Sequence, residues 1–134
     1  MYHEKILDSN FKYIYNKFKT HKDLVNSLAK SKISICFSSD LTNPNHFEDI
    51  SKITMRYFQS MICKCLILGN APNDMKYLFN YNPVIEANLE KPIKQIEDIL
   101  SNYNKYIDLI ETNYNEVINK HKYYDRIKLI LQIF

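Results

Sequence analysis

The sequence predicts an all-α protein: a compact bundle of about five to six helices around a buried central helix at 46–68, closed by a C-terminal helical hairpin. Three observations predict it. Apolar residues recur at steps of three and four along most of the 134-residue chain, the spacing of one helix face. The chain holds one glycine and four prolines, and sheets with tight turns normally need glycine at positive φ. Its 15 asparagines can cap helices and build loops in glycine's place.

Taken in order, Leu7, Phe11, Ile14, Tyr15 and Phe18 form one stripe, which places an amphipathic helix over about 4–19. Thr20 with Asp23 reads as a capping box for a second helix whose buried face is Leu24, Val25, Leu28 and Ala29. Residues 32–37 fit two templates. Ile33, Ile35 and Phe37 alternate with Lys32, Ser34 and Cys36 as in a strand, while Val25, Ala29, Ile33, Cys36 and Phe37 continue the helix. No second alternating run offers a partner strand, so the helix is preferred. Ser38 to Asn45 clusters Ser, Asp, Asn and Pro as a loop.

The central helix follows. Phe47, Ile50, Thr54, Tyr57, Phe58, Met61, Cys65 and Leu68 share a face. Asn45 with Glu48 suits its start, and Gly69 suits its end as a left-handed C-terminal residue. The stretch MICKCLIL is apolar nearly all round, the mark of a buried element. Asn73 can cap a short helix carrying Leu78 and Phe79, and Asn82-Pro83 starts another short helical turn through Val84, Ile85 and Leu89. From Pro92, the positions Ile93, Ile96, Leu100, Tyr103, Ile107, Ile110, Tyr114, Val117, His121 and Tyr124 keep a heptad-like spacing. One helix over 92–134 would be about 65 Å long at about 1.5 Å per residue, too long for a domain of this size. A break at Thr112-Asn113, giving a hairpin, is the preferred resolution. A homodimer formed through the heptad region is the alternative. No internal repeat or linker divides the chain, so a single domain over 1–134 is expected.

Composition narrows the class. A hydrophobic share of 46% and a charged share of 25% are those of an ordinary globular domain. The richness in Ile, Lys, Asn and Tyr matches AT-rich codons. The net charge of +3 is uneven, with residues 1–32 carrying seven lysines against three acids. Cys36, Cys63 and Cys65 are too few for a disulfide framework. No leader-like apolar segment opens the chain, and Lys64 interrupts the longest apolar run. A cytoplasmic protein with no membrane partner is expected.

No chemical motif emerges. A zinc site needs converging ligands, usually as paired Cys and His; here His3, His21, His46 and His121 are scattered, and the only cysteine pair is Cys-x-Cys. One glycine cannot make a phosphate-cradling loop, which argues against P-loop or Rossmann nucleotide binding. No G-x-S-x-G is present, and the cysteines sit in apolar settings that raise thiol pKa. Glu48-Asp49 and Glu97-Asp98 are adjacent pairs that diverge on a helix. The expectation is therefore no enzyme, no metal and no cofactor.

The remaining reading is a small protein–protein interaction module. It would be a cognate inhibitor, such as an immunity or antitoxin-like protein or a phage or viral modulator, that binds and blocks another protein. The 11 tyrosines support it, since Tyr is enriched at interfaces. Tyr106, Tyr123, Lys12, Lys17 and Lys19 are the candidate partner-binding residues. Nucleic-acid binding is the alternative, because Lys12, Tyr13, Tyr15, Lys17, Lys19 and Lys22 interleave cations with aromatic rings.

Overall fold

The computed structural model describes residues 12, 14, 18–42 and 52–133. The expected helix over 4–19 and the Asn45–Glu48 cap fall wholly or mostly outside them. Among the described residues the architecture is α/β, not all-α. A three-stranded parallel sheet, with strands β1 (Ile33–Cys36), β2 (Leu66–Gly69) and β3 (Ile85–Glu86) side by side in chain order, carries helices on both faces.

Helix α1 (His21–Ala29) opens with the expected capping box. Thr20 Oγ1 accepts the Asp23 N–H at 3.1 Å, and Asp23 accepts the Thr20 N–H at 3.2 Å. The helix stops at Lys30, and Ile33–Cys36 form strand β1 rather than its continuation. The alternating pattern was the governing one. Its partner is β2 (Leu66–Gly69), a run with no alternation to read because both of its faces are buried. Central strands of parallel sheets have this all-apolar character.

That strand also replaces the second half of the expected central helix. The described helix here is α3 (Met55–Ile62), eight residues long. It ends in a Schellman turn: the Lys64 N–H bonds Met61 O at 3.1 Å and the Cys65 N–H bonds Ser60 O at 2.9 Å. The left-handed position is Lys64, with φ 56°. Gly69 is not a helix cap. It ends β2 against β1, where an added Cβ would lie 1.7 Å from Cys36 O. Glycine is required there by the neighbouring backbone.

Short helices α2 (Ser39–Thr42) and α4 (Met75–Leu78) follow β1 and β2, and β3 is the pair Ile85–Glu86. Helix α5 (Pro92–Ser101) starts with proline in its first turn, as expected. A 3₁₀ turn (Tyr103–Tyr106), α6 (Ile107–Lys120) and α7 (Tyr123–Ile133) complete the chain. The 92–134 region therefore does break, but at 102–106 and 121–122, not at Thr112-Asn113. Thr112 lies inside α6 with its hydroxyl on Asp108 O at 2.7 Å. Asn113 is wholly buried, donating to Pro83 O at 3.0 Å and accepting from the Tyr81 hydroxyl at 2.9 Å. A helix-interior asparagine is tolerated because it anchors the loop that feeds β3.

The strand register sorts the core. Ile33, Ile35, Leu66, Leu68 and Ile85 face α5 and α6, meeting Ile96, Ile99 and Ile110. Cys36 and Ile67 face α3 and α4, meeting Tyr57, Phe58, Met61, Met75 and Phe79. Helix α6 serves both layers, through Ile110 on one side and Val117 on the other. These heptad positions are used inside the chain. Among the described residues no helix is long and apolar enough to cross a membrane.

Candidate functional site

Parallel sheets with helices on both faces bind ligands outside the carboxyl ends of their strands. Here those ends are Cys36 to Ser38, Gly69 to Ala71 and Glu86 to Ala87. They are tied into one edge. The Ser38 N–H donates to Asn70 Oδ1 at 2.8 Å, and Asn70 Nδ2 donates back to Ser38 Oγ at 2.9 Å. The Tyr57 hydroxyl donates to Asn70 O at 2.9 Å. The Ala71 N–H reaches Glu86 Oε1 at 3.2 Å. The loops after β1 and β2 are thus fixed by side chains from elsewhere in the fold, which pre-positions the edge.

Two carboxylates and one cation surround it. Asp40 sits in α2, two residues beyond Ser38, and its Oδ1 is shielded from solvent with no hydrogen-bond partner. A buried acceptor left open is costly, and a ligand donor would satisfy it. Glu86 is exposed at the end of β3. Arg56 lies in the first turn of α3, and its charge acts on the Cys36 thiol. The Tyr57 hydroxyl is held protonated, first by burial and then by Cys36, Glu86 and Asp40. It is a hydrogen-bond donor here and no base.

Beneath the edge lies a buried polar layer between β1 and α3. The Ser60 hydroxyl donates to Ser34 Oγ at 2.7 Å, and Cys36 Sγ lies 3.6 Å from Ser34 Oγ and 3.8 Å from Ser60 Oγ. Burial pushes the Cys36 thiol up, against the opposing pull of those two hydroxyls and of Arg56. Burial pushes Cys65 up to about 12. Neither thiol is set up as a nucleophile. Among the described residues no group of three or more His, Cys, Asp or Glu is placed to hold a metal.

None of the expected partner-binding residues that the structure describes is one of these edge residues. Lys12 and Lys19 are exposed, and Lys17 lies outside the described residues. Tyr106 is half-buried against the α5–α6 layer. Tyr123 is exposed, its hydroxyl 3.8 Å from Met55 Sδ at the start of α3, on the other side of the sheet. The edge residues Ser38, Asp40, Asn70 and Glu86 were missed in the sequence. Each follows or ends a short apolar run (ISICF, LILG, PVIE), a signal readable only once those runs are taken as strands.

A family model described as glycosyl transferase-like matches residues 2–132. The chain belongs to that family. No curated protein and no solved structure matches it. Membership in the glycosyl transferase-like family overturns the inhibitor, immunity and antitoxin reading, which rested on the absence of a motif and on the number of tyrosines. It also overturns the expectation of a non-enzyme and leaves the nucleic-acid alternative without support. Scarce glycine does not preclude such an edge. The loop after β1 is held by the Asn70 side chain, the loop after β2 by Tyr57 and Glu86, and the loop after β3 by Gln95, so glycine-rich turns are not what shapes them.

Proposed function

We propose that this glycosyl transferase-like chain binds an activated sugar at the carboxyl edge of its sheet and takes part in glycosyl transfer. The observation that carries the reading is the open Asp40 Oδ1 beside the Ser38–Asn70 bridge, in a chain of this family. In the transfer, the bond from the anomeric carbon to its leaving oxygen breaks and a bond to an acceptor hydroxyl oxygen forms. The acceptor's proton must go to a base, and the leaving group departs with the electron pair. Asp40 and Glu86 can accept hydrogen bonds from sugar hydroxyls, and either can receive a proton. Arg56 can offset negative charge building on a phosphate-bearing leaving group.

A cytoplasmic location belongs to this proposal, and the three unpaired thiols favour a reducing compartment. The test is to titrate the folded protein with a panel of sugar nucleotides and sugar 1-phosphates by ligand-observed NMR, with release of free sugar as a second readout. At least one should bind. Asp40→Asn and Arg56→Gln should each lower turnover about ten-fold or more, the yield expected of one acid–base or electrostatic group, at an unchanged urea midpoint. Absence of binding across the panel, or full turnover in both variants, would refute the assignment.

A further inference from the structure

A second concavity lies on the flank of the sheet. It is a recess of about 320 Å³ between β3 and the first turns of α5, closed on one side by the 3₁₀ turn. That volume is at the small end of ligand pockets, about 300–1,000 Å³. Ile85, Ile99 and the Tyr106 ring supply apolar wall, while Lys91, Lys94 and Asp98 supply charge.

The wall is braced. Gln95 Nε2 donates to Glu86 O at 2.8 Å, and its Oε1 accepts the Asn88 N–H at 2.7 Å. Asn88 Oδ1 accepts the N–H groups of Glu90 and Lys91, both at 3.0 Å. The backbone carrying Lys91 is therefore fixed at the recess. Among the described residues neither Lys91 nor Lys94 forms an ion pair, although Asp98 shares the recess and stands one helical turn beyond Lys94. Two lysines against one carboxylate leave one positive charge over. Ordinary exposed lysines are spread over surfaces; these two converge on a concavity that also holds an aromatic ring.

We propose that this recess binds a small anionic polyol, one phosphate or carboxylate group on a hydroxylated ring. Lys91 and Lys94 take the anion, Asp98 accepts ring hydroxyls, and Tyr106 covers the apolar edge of the ring. The recess adjoins the candidate transfer site through β3, since Gln95 bonds the carbonyl of Glu86 and the Glu86 carboxylate holds Ala71. The proposal does not depend on the transfer reading.

The experiment is titration of ¹⁵N-labelled protein with glucose 6-phosphate, glucuronate, inorganic phosphate and glucose. Glucose 6-phosphate or glucuronate should shift the amides of Asn88 and 91–95 and the ring signals of Tyr106 in a saturable way, and glucose should not. The tighter of the two identifies phosphate or carboxylate as the anion. Lys91→Gln/Lys94→Gln should weaken binding ten-fold or more. Lys22→Gln/Lys76→Gln, which removes the same charge elsewhere, should leave it unchanged. All four lysines are exposed, so the fold should survive in both variants. Equal binding of glucose, inorganic phosphate binding as tightly as the best polyol, equal weakening in the two lysine variants, or shifts confined to residues 38–40 and 70–71 would each overturn the proposal.

Discussion

The two faces of the sheet are built on different physics. The face under α5 and α6 is aliphatic at its centre, with Leu66 and Leu68 against Ile96, Ile99 and Ile110. Its cohesion is apolar burial, which is non-directional. The face under α3 and α4 mixes rings with hydrogen-bonding groups: Tyr57, Ser34, Ser60 and Cys36 among Phe58, Met61 and Phe79. There the groups must meet at set distances and angles. This second face continues into the edge at β1 and β2, through Tyr57 and Asn70, while the first reaches it only at β3, through Gln95. One side of the sheet chiefly supplies stability, and the other also positions most of the candidate site.

Substitutions on neighbouring residues of β2 should separate the two most sharply. Leu68 points into the aliphatic face, and Leu68→Ala should cost about 2–5 kcal/mol while unfolding stays cooperative. Gly69 points the other way. Gly69→Ala would place a methyl 1.7 Å from Cys36 O and 2.6 Å from Cys36 C. Backbone cannot yield as a side chain can, so β1 and β2 must part. The expected loss exceeds about 4 kcal/mol, in the tail reserved for a few named mechanisms, with no cooperative urea transition. A Gly69→Ala protein with the wild-type urea midpoint would show that the strands do not approach so closely.

The next largest effect should come from the Ser34–Ser60 pair. Ser60→Ala removes the donor to Ser34 Oγ inside a buried layer and should cost about 1–3 kcal/mol. The double variant Ser34→Ala/Ser60→Ala removes both partners and should recover part of that loss. Chemical denaturation of these two proteins and of Ser34→Ala decides it. A double-variant loss equal to the sum of the two single losses would mean that the two hydroxyls do not depend on each other.

How much of this was legible beforehand follows the same division. Local signals were read correctly where one residue type has one use: the Thr20–Asp23 capping box and Pro92 at the start of α5. The errors came from tertiary context. The run CLIL is apolar on all sides because β2 is covered twice, and a short run of that kind has no period to distinguish strand from helix. Gly69 was read by the commonest use of glycine, while the left-handed residue is Lys64. The strand at 33–36 was visible as alternation, and its partner was the run that had been assigned to the central helix. With the sheet hidden, the edge residues had no common location, and the site could not be assembled.

The two faces should also differ in their response to pH. His121 joins the aromatic side, its ring centroid 5.1 Å from that of Phe79 and 6.1 Å from that of Phe58. Its Nε2 is buried without a hydrogen-bond partner, 3.9 Å from Glu116 Oε1. Burial holds its pKa below the usual 6.5; Arg126 and Lys120 lower it further, while Glu116 and Asp125 oppose. The unfolded chain therefore takes up the proton first. The stabilisation is fully present above pH 6.5 and is lost as pH falls through the lower folded value. The urea midpoint should fall between pH 7 and pH 5, and His121→Gln should flatten that slope. An unchanged slope in the variant would place the acid sensitivity elsewhere.

The smallest effect concerns Lys64, where the turn between α3 and β2 sets the register of both faces. A lysine at φ 56° is strained by about 1–2 kcal/mol relative to a right-handed residue, and glycine would relieve most of it. The same lysine reaches Glu111 at 2.9 Å and lies over the Tyr114 ring at 4.6 Å. Both contacts are half exposed, worth about 0.2–1 kcal/mol each. The opposing terms should nearly cancel, so Lys64→Gly should shift stability by less than about 1 kcal/mol, most of the relieved strain being offset. Glu111→Gln separates them. With the ion pair already absent, Lys64→Gly should stabilise more than it does in the wild type, and by an amount insensitive to salt. If the gain is the same in both backgrounds, the Glu111 contact contributes nothing and backbone strain alone governs the turn.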